Sequence, residues 1–511
     1  MHWLAKAVVG LLVLGVLGAA VLTWYISTSE QREPSRIAYI ENCANCHGVE
    51  LAGTSSGPAL IGGALVHSDS TPALIESIDK RHELIGSVSQ GDGVLGASMI
   101  KALALYVSEQ RQQIPTITGS HTRNLPQNVV RSQHHDFEVE LVTELSSGPY
   151  AMAPLPDGRI LISEKVRGLS IVDATGNQGP LVVGTPRVWR ELVRVRGSYV
   201  GLGMMLDIAL HPDYESNGWI YLSHGDRCQL DCNSLWPVSM VRVVRGRIKQ
   251  GRWTDSEAIW SVHKDNYTVV PDGVAAGRLA LDGHGYLFVT VGGKSTYDNL
   301  HVMDTPYGKI HRVRDDGGIP QDNPFWKPAS ERSVASTRHT VFSYGHRTTQ
   351  GLAAHPGTGD IWSTEMGPRG GDEVNQIHSG GNYGWPLYTN GLDYNAEPIM
   401  IGENLGLDFA LSETIAPMVD FTPAPSLSNF TFHSGSRFPG WEDDLLIGSL
   451  RARTLYRIRI KDGVAVEHEK LIVGLGRIRD VGMGADGLVY VLLEHGATGS
   501  LVRLIPPPAS L

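Results

Sequence analysis

The sequence predicts an all-β six-bladed propeller, preceded by a small all-α domain and one N-terminal transmembrane helix. Three observations support this: an uncharged apolar run near the N-terminus, helical periodicity in the segment that follows, and a repeated turn-and-strand pattern over the rest of the chain. A chain of 511 residues is longer than one hydrophobic core usually serves. The predicted boundaries are 1–34 for the anchor and tether, 35–112 for the helical domain, 113–134 for a linker and 135–508 for the propeller.

The N-terminal run Ala7 to Ile26 contains 20 residues without a charge. At the helical rise this length crosses about 30 Å of hydrocarbon. Lys6 on one side, with Trp24 and Tyr25 on the other, is typical of the two membrane interfaces. A cleaved signal peptide is the alternative, because small residues end at Ala20, but the apolar run continues beyond them. We therefore predict an uncleaved membrane anchor.

Cys43, Cys46 and His47 have the C-x-x-C-H spacing that covalent attachment of a c-type haem requires. The thiols can form thioethers to the macrocycle, and the imidazole can bind the iron as an axial ligand. A redox C-x-x-C pair and half of a zinc site are the alternatives, but neither has its expected sequence context here. The motif predicts a cytochrome c domain that carries haem c. Such attachment takes place outside the bacterial cytoplasm, so we expect a bacterial inner-membrane protein with periplasmic domains.

The second axial ligand of this haem is left open by the sequence. Many small c-type domains supply a methionine shortly before the last helix, where Val88 stands here. His82 is a possible second axial ligand, and Met99 and His67 are further candidates. An open coordination position is also compatible with the sequence, and it would favour ligand binding or a shifted potential.

Two further patterns describe the predicted cytochrome c domain. Gly57 and Pro58 match the segment whose carbonyl orients the proximal imidazole and fixes its tautomer. The last helix is predicted from apolar residues at helical spacing, which we expect to form one buried stripe. These residues are Met99, Leu103, Tyr106 and Val107.

Charge and cysteine content restrict the partners and the redox chemistry. A net charge of -10 without a long basic run argues against nucleic acid as a partner. Of the four cysteines, Cys228 and Cys232 are close enough in sequence to form a disulfide in an oxidising compartment. Two free thiols in a loop are the alternative.

Beyond the linker, the apolar period changes from 3.6 to 2, and short β-branched strands follow turn sequences six times. From Asp157 in the first turn to Asp486 in the last, the spacing averages about 66 residues per unit, which is room for four strands. A six-bladed propeller accommodates this pattern because radial repetition removes long exposed sheet edges. A pair of β-sandwiches is the alternative. The predicted strands are 159–163, 219–223, 286–291, 360–364, 445–450 and 488–493.

Several loop motifs of the predicted propeller occur in the order found in one family. They lie at 308–310, 322–325, 344–352, 365–373, 380–386 and 477–481. Together they resemble the glucose/sorbosone dehydrogenase family, which comprises soluble quinoprotein glucose and aldose sugar dehydrogenases. The resemblance extends from about residue 148 to 506.

The resemblance implies pyrroloquinoline quinone (PQQ), an ortho-quinone with three carboxylates, as cofactor. Arg347, Arg451, Arg477 and Arg479 match the family's cofactor contacts. Guanidinium groups suit planar carboxylates because they can form two parallel hydrogen bonds. A surface ion pair is the ordinary alternative for each arginine, but four arginines in register with one family's site favour cofactor binding.

The resemblance also implies Ca²⁺. In the family, backbone carbonyls at the positions of Gly367 and Pro368 help to hold an ion that polarises the quinone as a Lewis acid. Glu373 and Tyr383 match a second, structural calcium site.

Departures from the family pattern bear on catalysis. The position of the family's catalytic histidine holds Val274, which cannot accept a proton. The family's glutamine and asparagine near the reacting centre align with Leu202 and Thr348. Loss of the base removes a contribution of about 10²- to 10⁴-fold. Asp272 and His263 lie nearby in sequence and are possible substitutes.

Two functions remain compatible with the sequence. In the first, a membrane-anchored quinohaemoprotein oxidises a sugar or another alcohol by hydride transfer to PQQ. It then passes electrons to the covalent haem and onward to a respiratory electron acceptor. In the second, the propeller has lost catalysis and acts as a ligand-binding or sensing module coupled to the haem domain.

Overall fold

The structure, a computed structural model, describes residues 33–65, 68–85, 95–115, 122–189, 192–195, 198–201, 203–228, 232, 234, 237–269, 276–331 and 333–507. The chain forms two compact units. One is Met1–Gly119 with Leu392–Pro398, and the other is Ser120–Gly391 with Ile399–Leu511. The predicted span Ala7 to Ile26 lies outside the described residues, and no helix within them has the length and hydropathy to cross a bilayer.

The first unit is helical. Its first helix begins at a proline, and the Glu33 side chain accepts the backbone N–H of Ser35 at 3.0 Å, which caps the helix. Its helices are α1 (Pro34–Asn42), α2 (Ala44–His47), α3 (Thr71–Ile85) and α4 (Ala97–Arg111).

Helices α1 and α4 pack through an aromatic pair. The rings of Tyr39 and Tyr106 lie 5.3 Å apart, and both residues are buried. The Tyr39 hydroxyl donates to the carbonyl of Gly48 at 2.8 Å, just after α2. This contact ties the short helix α2 to the core of the unit.

The predicted stripe on α4 is correct except at Met99. Met99 is 39% exposed, whereas Ile100 is 5% exposed and Leu103 is fully buried. The buried face runs through positions 100, 103, 104 and 107, so the residue after Met99 fills the place expected for it. Met99 is therefore not a core residue.

The second unit is a six-bladed propeller, as predicted. Five sheets contain four strands and one contains three among the described residues. The first sheet holds β2 (Pro149–Pro154), β3 (Ile160–Glu164) and β4 (Gly168–Val172); the second holds β7 (Met205–Leu210), β8 (Ile220–Cys228), β9 (Val238–Lys249) and β10 (Arg252–Trp260). The third holds β11 (Leu279–Leu281), β12 (Tyr286–Val291), β13 (Lys309–Arg314) and β14 (Val341–Tyr344). The fourth holds β15 (Thr349–Ala354), β16 (Ile361–Glu365), β17 (Asp372–Gln376) and β18 (Val419–Phe421). The fifth holds β19 (Leu427–Phe432), β20 (Leu445–Ser449), β21 (Leu455–Lys461) and β22 (Val464–Ile472); the sixth holds β23 (Arg477–Met483), β24 (Val489–His495), β25 (Thr498–Ile505) and β1 (Glu138–Leu145).

Smaller elements lie between these strands. Strands β5 (Leu192–Val195) and β6 (Ser198–Gly201) form a separate hairpin. Two short helices are α5 (Tyr214–Asn217) and α6 (Ile401–Asn404), and 3₁₀ turns occupy Lys264–Asn266, Tyr297–Asn299, Ala329–Glu331, Arg338–Thr340 and Leu411–Glu413.

The inner strands of the six sheets form a closed ring. Strand β2 contacts β7 and β23, and the contacts continue through β11, β15 and β19. The apolar cores lie between the faces of adjacent sheets. All six strands predicted from the sequence are the second strands of these sheets, with shifts of one or two residues at most ends and a longer continuation of β8.

Turn residues explain why these second strands are predictable. In the turns before β3, β12 and β24, the side chains of Asp157, Asp282 and Asp486 accept backbone N–H groups two residues further on, at 2.8–3.1 Å. Gly158 follows the first of these with φ of 85°, a backbone conformation that favours glycine.

The ring closes by pairing strands from the two ends of the propeller sequence. Strand β1 runs antiparallel to β25, with Glu138 opposite Ile505 and Leu145 opposite Gly499. The preceding residues also belong to this unit, because Asn124 donates to the carbonyl of Leu475 at 2.9 Å. Strand β1 is therefore the outermost strand of the sixth sheet.

Buried hydroxyl groups connect neighbouring sheets. Ser163 on β3 donates to the carbonyl of Leu206 at 2.5 Å, and Ser223 on β8 donates to that of Gly277 at 2.5 Å. Thr364 repeats the contact on β16, where its hydroxyl donates to a carbonyl of β19 at 2.6 Å. These bonds join the second strand of one sheet to the inner part of the next sheet.

Arg278 joins four sheets near the middle of the ring and is fully buried. Its Nη1 lies 3.1 Å from Oδ1 of Asp207, and its Nε donates to the carbonyl of Gln350 at 2.7 Å. Its Nη2 donates to the carbonyl of Arg479 at 3.2 Å. The other oxygen of Asp207 accepts the N–H of Leu279 at 2.8 Å, so every guanidinium nitrogen and both carboxylate oxygens of the ion pair have a hydrogen-bond partner.

Cys228 and Cys232 form a disulfide, as the sequence predicts. Their Cα atoms are 6.1 Å apart, within the range for such a bond.

We expect Arg278→Met to destabilise the propeller by about 3–5 kcal/mol, because it leaves Asp207 buried without its cation. Chemical unfolding followed by fluorescence measures this change. The control is Lys249→Met, which removes a cation that is 61% exposed and pairs with Asp255, and it should cost under about 1 kcal/mol. Equal unfolding midpoints for the two variants would contradict the structural role of Arg278.

Candidate functional site

The four arginines singled out by the sequence lie at one end of the propeller ring. Arg347 lies two residues before the inner strand β15, and Arg477 and Arg479 lie at the start of the inner strand β23. Arg451 follows β20, the second strand of its sheet. Because first and second strands are antiparallel, the start of one and the end of the other meet at the same end of the ring.

Arg347 is buried, and its side chain donates to two carbonyl groups of a loop. Its Nη1 donates to the carbonyls of Met366 and Gly367, each at 2.8 Å. The guanidinium carbon lies 5.2 Å from the ring centre of Trp385. The Arg347 backbone N–H donates to the carboxylate of Glu365, so both its main chain and its side chain are held in place.

Arg347 and Arg451 face a common carboxyl group, that of Asp372. Asp372 is fully buried and accepts the N–H groups of Gly367 at 2.9 Å and Leu427 at 2.8 Å. Burial raises the pKa of Asp372 to about 7, and the charges of Arg347 and Arg451 oppose that shift. Arg451 is further fixed by a bond from its Nη1 to the carbonyl of Ala424 at 3.2 Å.

Arg477 and Arg479 share the carboxylate of Glu494 with a lysine. Nε of Arg479 lies 3.0 Å from Glu494 Oε2, and Nη2 of Arg477 lies 3.9 Å from the same oxygen. Nζ of Lys165 donates to Oε1 at 2.6 Å. Arg477 also reaches the carbonyl of Leu450, the residue before Arg451, at 3.5 Å.

These contacts link five basic side chains into one cationic cluster, which we define as Lys165, Arg347, Arg451, Arg477 and Arg479. Among the described contacts, the carboxylates that lie against the cluster are those of Asp372, Glu494 and Glu365. The cluster therefore carries more positive than negative charge. A separate cavity of about 740 Å³ lies at the other end of the ring, among the turns between first and second strands, and no cluster residue lines it.

The predicted calcium ligands lie beside this cluster. The Gly367 carbonyl accepts from Arg347, and Pro368 is buried next to it. Glu373 on β17 lies opposite Glu365 on the adjacent strand β16. Burial, followed by the charge of Glu365, raises the pKa of Glu373 to about 8. Within the described part of the chain, no group of three or more His, Cys, Asp or Glu side chains is arranged to hold a metal ion.

Tyr383, the other predicted ligand of the structural calcium, stacks on His346 with ring centres 4.5 Å apart. Its hydroxyl donates to the carbonyl of Gln376 at 2.6 Å and accepts the N–H of His378 at 3.0 Å. Burial raises the pKa of this hydroxyl above its ordinary value.

The positions expected near the reacting centre are only partly described. Val274, Asp272 and Leu202 lie outside the described residues. His263 caps the 3₁₀ turn that follows it, and its Nδ1 accepts the N–H of Asp265 at 3.4 Å. Thr348 is buried, and its hydroxyl has no hydrogen-bond partner among the described residues.

The C-x-x-C-H motif of the helical unit folds into a single turn. Cys43 precedes α2, and Cys46 and His47 lie within it, with the His47 N–H bonded to the Cys43 carbonyl at 3.0 Å. Burial, followed by the proximity of Cys46, raises the pKa of the Cys43 thiol to about 11. Nδ1 of His47 lies 2.8 Å from the carbonyl of Pro58. Because this contact occupies Nδ1, the other ring nitrogen is left to bind a metal.

Glycine at position 57 allows this arrangement, since an added Cβ would approach the Cys46 carbonyl to 2.9 Å.

Of the residues predicted as a second axial ligand, His67 and the side chain of His82 lie outside what the structure describes. Met99 is described and is 39% exposed at the start of α4.

Sequence reasoning missed Lys165 and Glu494. Neither belongs to a loop motif that carries the family resemblance. Both lie at the ends of buried second strands, β3 and β24, on the same side of the ring as the arginines. The signal that could have identified them is a charged residue at that end of a second strand.

Comparisons with known proteins agree with this architecture. The model of the family "Glucose / Sorbosone dehydrogenase" matches residues 146–503, which lie within the propeller. Aldose sugar dehydrogenase YliI of Escherichia coli is 31% identical over 374 residues, covering 72% of this chain and 92% of that protein.

Solved structures give the same result. The soluble aldose sugar dehydrogenase of Escherichia coli in its apo form has a TM-score of 0.62 at 30% identity, covering 72% of this chain and 99% of that chain. The PQQ-bound aldose sugar dehydrogenase of Streptomyces coelicolor has a TM-score of 0.52 at 24% identity and covers 72% of this chain and 98% of that chain, which shows a shared fold. The protein therefore belongs to the glucose/sorbosone dehydrogenase family.

Proposed function

We propose that this protein is a quinohaemoprotein dehydrogenase of the aldose sugar type, in which the propeller binds PQQ and the helical unit carries haem c. The observation that carries the proposal is the cationic cluster at one end of the ring, whose positive charges outnumber its carboxylates. A relative that is 31% identical is an aldose sugar dehydrogenase, and a protein of the same fold is PQQ-bound.

The residues around Arg347 fit a planar polyanion. Two buried polar atoms next to this arginine have no partner among the described residues, Oγ1 of Thr348 and Nε1 of Trp385. Buried polar atoms are normally satisfied, so their presence here favours a bound ligand with hydrogen-bonding groups. The three carboxylates of PQQ would balance the excess charge of the cluster.

Within this proposal, the four arginines of the cluster bind the cofactor. Arg347, Arg451, Arg477 and Arg479 hold and orient the cofactor through its carboxylates. PQQ, when bound, supplies a quinone that accepts two electrons from an alcohol. The carbonyl oxygens of Gly367 and Pro368 are the groups that would hold a Ca²⁺ ion, which prefers oxygen ligands, while Glu373 and Tyr383 would serve the second calcium site.

Proton removal is the step for which the chain differs from its family. A hydroxyl proton must leave the substrate, and Val274 cannot take it. Asp272 and His263 stay candidates for this role. His263 already caps a turn, so taking the proton would require its ring to leave that position.

The helical unit is proposed to accept the electrons. The thiols of Cys43 and Cys46 on one turn, with the His47 ring oriented by Pro58, fit covalent haem attachment with one protein axial ligand. We further propose that the N-terminal segment anchors the protein in the bacterial inner membrane, with both units in the periplasm. A downstream respiratory acceptor would then receive the electrons.

A second function is favoured by the substitutions at Val274, Leu202 and Thr348. A propeller that binds PQQ or a related anion without turnover would act as a ligand-binding or sensing module. The charge of the cluster is compatible with this function as well, because binding requires no base.

The purified full-length protein, loaded with PQQ and Ca²⁺, distinguishes these functions. We expect the haem absorbance band to change to the reduced form when aldoses or alcohols are added. Tight PQQ binding without haem reduction by any substrate would support the sensing module. Failure to bind PQQ would exclude the quinoprotein proposal.

Covalent haem attachment is tested independently of PQQ. We expect the protein expressed in a host with haem-attachment enzymes to retain its haem on denaturing gels, and Cys43→Ser/Cys46→Ser to lose it. His47→Gly should keep the thioether bonds but shift the absorbance spectrum, because an axial ligand is lost. A double serine variant that still holds haem on denaturing gels would contradict the assignment.

A further inference from the structure

Lys165 belongs to the cationic cluster, and hydrogen bonds hold its main chain in place. It directly follows β3, and its N–H donates to the carbonyl of Gly148 at 3.1 Å. Its own carbonyl accepts the N–H of Met205 from the next sheet at 2.9 Å. The main chain is therefore held from two sides, and the side chain alone determines where the ammonium group lies.

The ammonium group of Lys165 is held by Glu494, which also contacts two arginines. Nζ lies 2.6 Å from Oε1, while the guanidinium groups of Arg479 and Arg477 approach Oε2. Burial alone would raise the pKa of Glu494, but the charges of Arg479 and Lys165 hold it well below its usual range. One carboxylate thus faces three basic side chains.

The pKa of Lys165 is lowered by burial and by the positive charge of the neighbouring arginines. Burial, and then the positive charge of Arg479, lower the pKa of Lys165 to about 7, against the opposing effect of Glu494. Glu494, Arg477 and Arg479 are the charged groups that act on it. An added anion at this point would favour the protonated form of Lys165.

We propose that Lys165, positioned by Glu494, is a further cofactor-binding residue whose ammonium group pairs with a carboxylate of the planar polyanion bound by Arg477 and Arg479. This inference rests on the proposed function and deepens it, because it assigns recognition of the anion to a residue outside the motifs that define the family resemblance. Glu494 acts as a positioning residue in this arrangement.

The proposal has a signature that a purely structural lysine would lack. Binding of the anion brings negative charge next to Nζ, so Lys165 takes up a proton from solution at pH 8, where it is largely neutral in the free protein. Arginine at this position would keep the positive charge but stay protonated throughout. Replacing Lys165 by arginine therefore separates the effect of the positive charge on binding from the uptake of a proton.

Calorimetric titration of the full-length protein with PQQ, in the presence of Ca²⁺ at pH 8, tests the inference. Repeating the titration in two buffers of different ionisation enthalpy gives the number of protons taken up. We expect about one proton for the unaltered protein. Lys165→Met should bind about tenfold more weakly and take up about one proton fewer. Lys165→Arg should keep the affinity within about threefold while also losing the uptake.

Lys249→Met, which removes an exposed lysine paired with Asp255, serves as the control and should match the unaltered protein in affinity and proton uptake. If the unaltered protein binds PQQ and Lys165→Met binds it equally well, this inference fails while the proposed function stands. Proton uptake in Lys165→Arg equal to that of the unaltered protein would also overturn it. If the unaltered protein does not bind PQQ, both proposals fail. The proton count on the unaltered protein and on Lys165→Arg decides the matter even where Lys165→Met does not fold.

Discussion

The guanidinium group of Arg278 is the interaction on which the rest of the propeller depends. From the third sheet it reaches Asp207 in the second, the Gln350 carbonyl in the fourth and the Arg479 carbonyl in the sixth. A buried charge is costly unless it is paired and fully hydrogen-bonded, so this group tolerates few other arrangements of the inner strands. The carbonyl it holds belongs to a residue of the cationic cluster, so the central ion pair also positions part of the candidate site.

The candidate site is defined more clearly by its electrostatics than by its acid–base groups. Basic side chains are gathered against Asp372, whose burial favours its neutral form, and Glu494, which stays ionised. Such an arrangement favours a polyanionic ligand regardless of what chemistry follows. Binding and turnover can therefore be considered separately in this chain. In the proposed function, binding depends on the arginines of the cluster, whereas the position predicted for the family's proton acceptor holds Val274.

The sequence predicted the second strand of every sheet because those strands combine β-branched residues with a preceding turn of distinctive chemistry, as at Asp157 and Asp282. The first sheet was less accessible to such reasoning. Its fourth segment runs beside β4 through bonds such as Val182 to Leu169 without forming a regular strand.

The arginines of the site were found through motifs in loops. Lys165 and Glu494 were not, because their proximity depends on how the sixth sheet meets the first. Met99 was misplaced because spacing alone cannot show which side of a first helical turn faces the core.

The pairing of β1 with β25 has a consequence for how the molecule is made. Strand β1 has its partner about 360 positions later in the chain. During synthesis it stays unpaired while the intervening five sheets are produced. The barrier to completing the ring is therefore the joining of distant segments, which is slow and exposes strand edges to other chains. A protein shortened by even its last strand would keep most of its residues yet leave both ends of the circle open to association with neighbours.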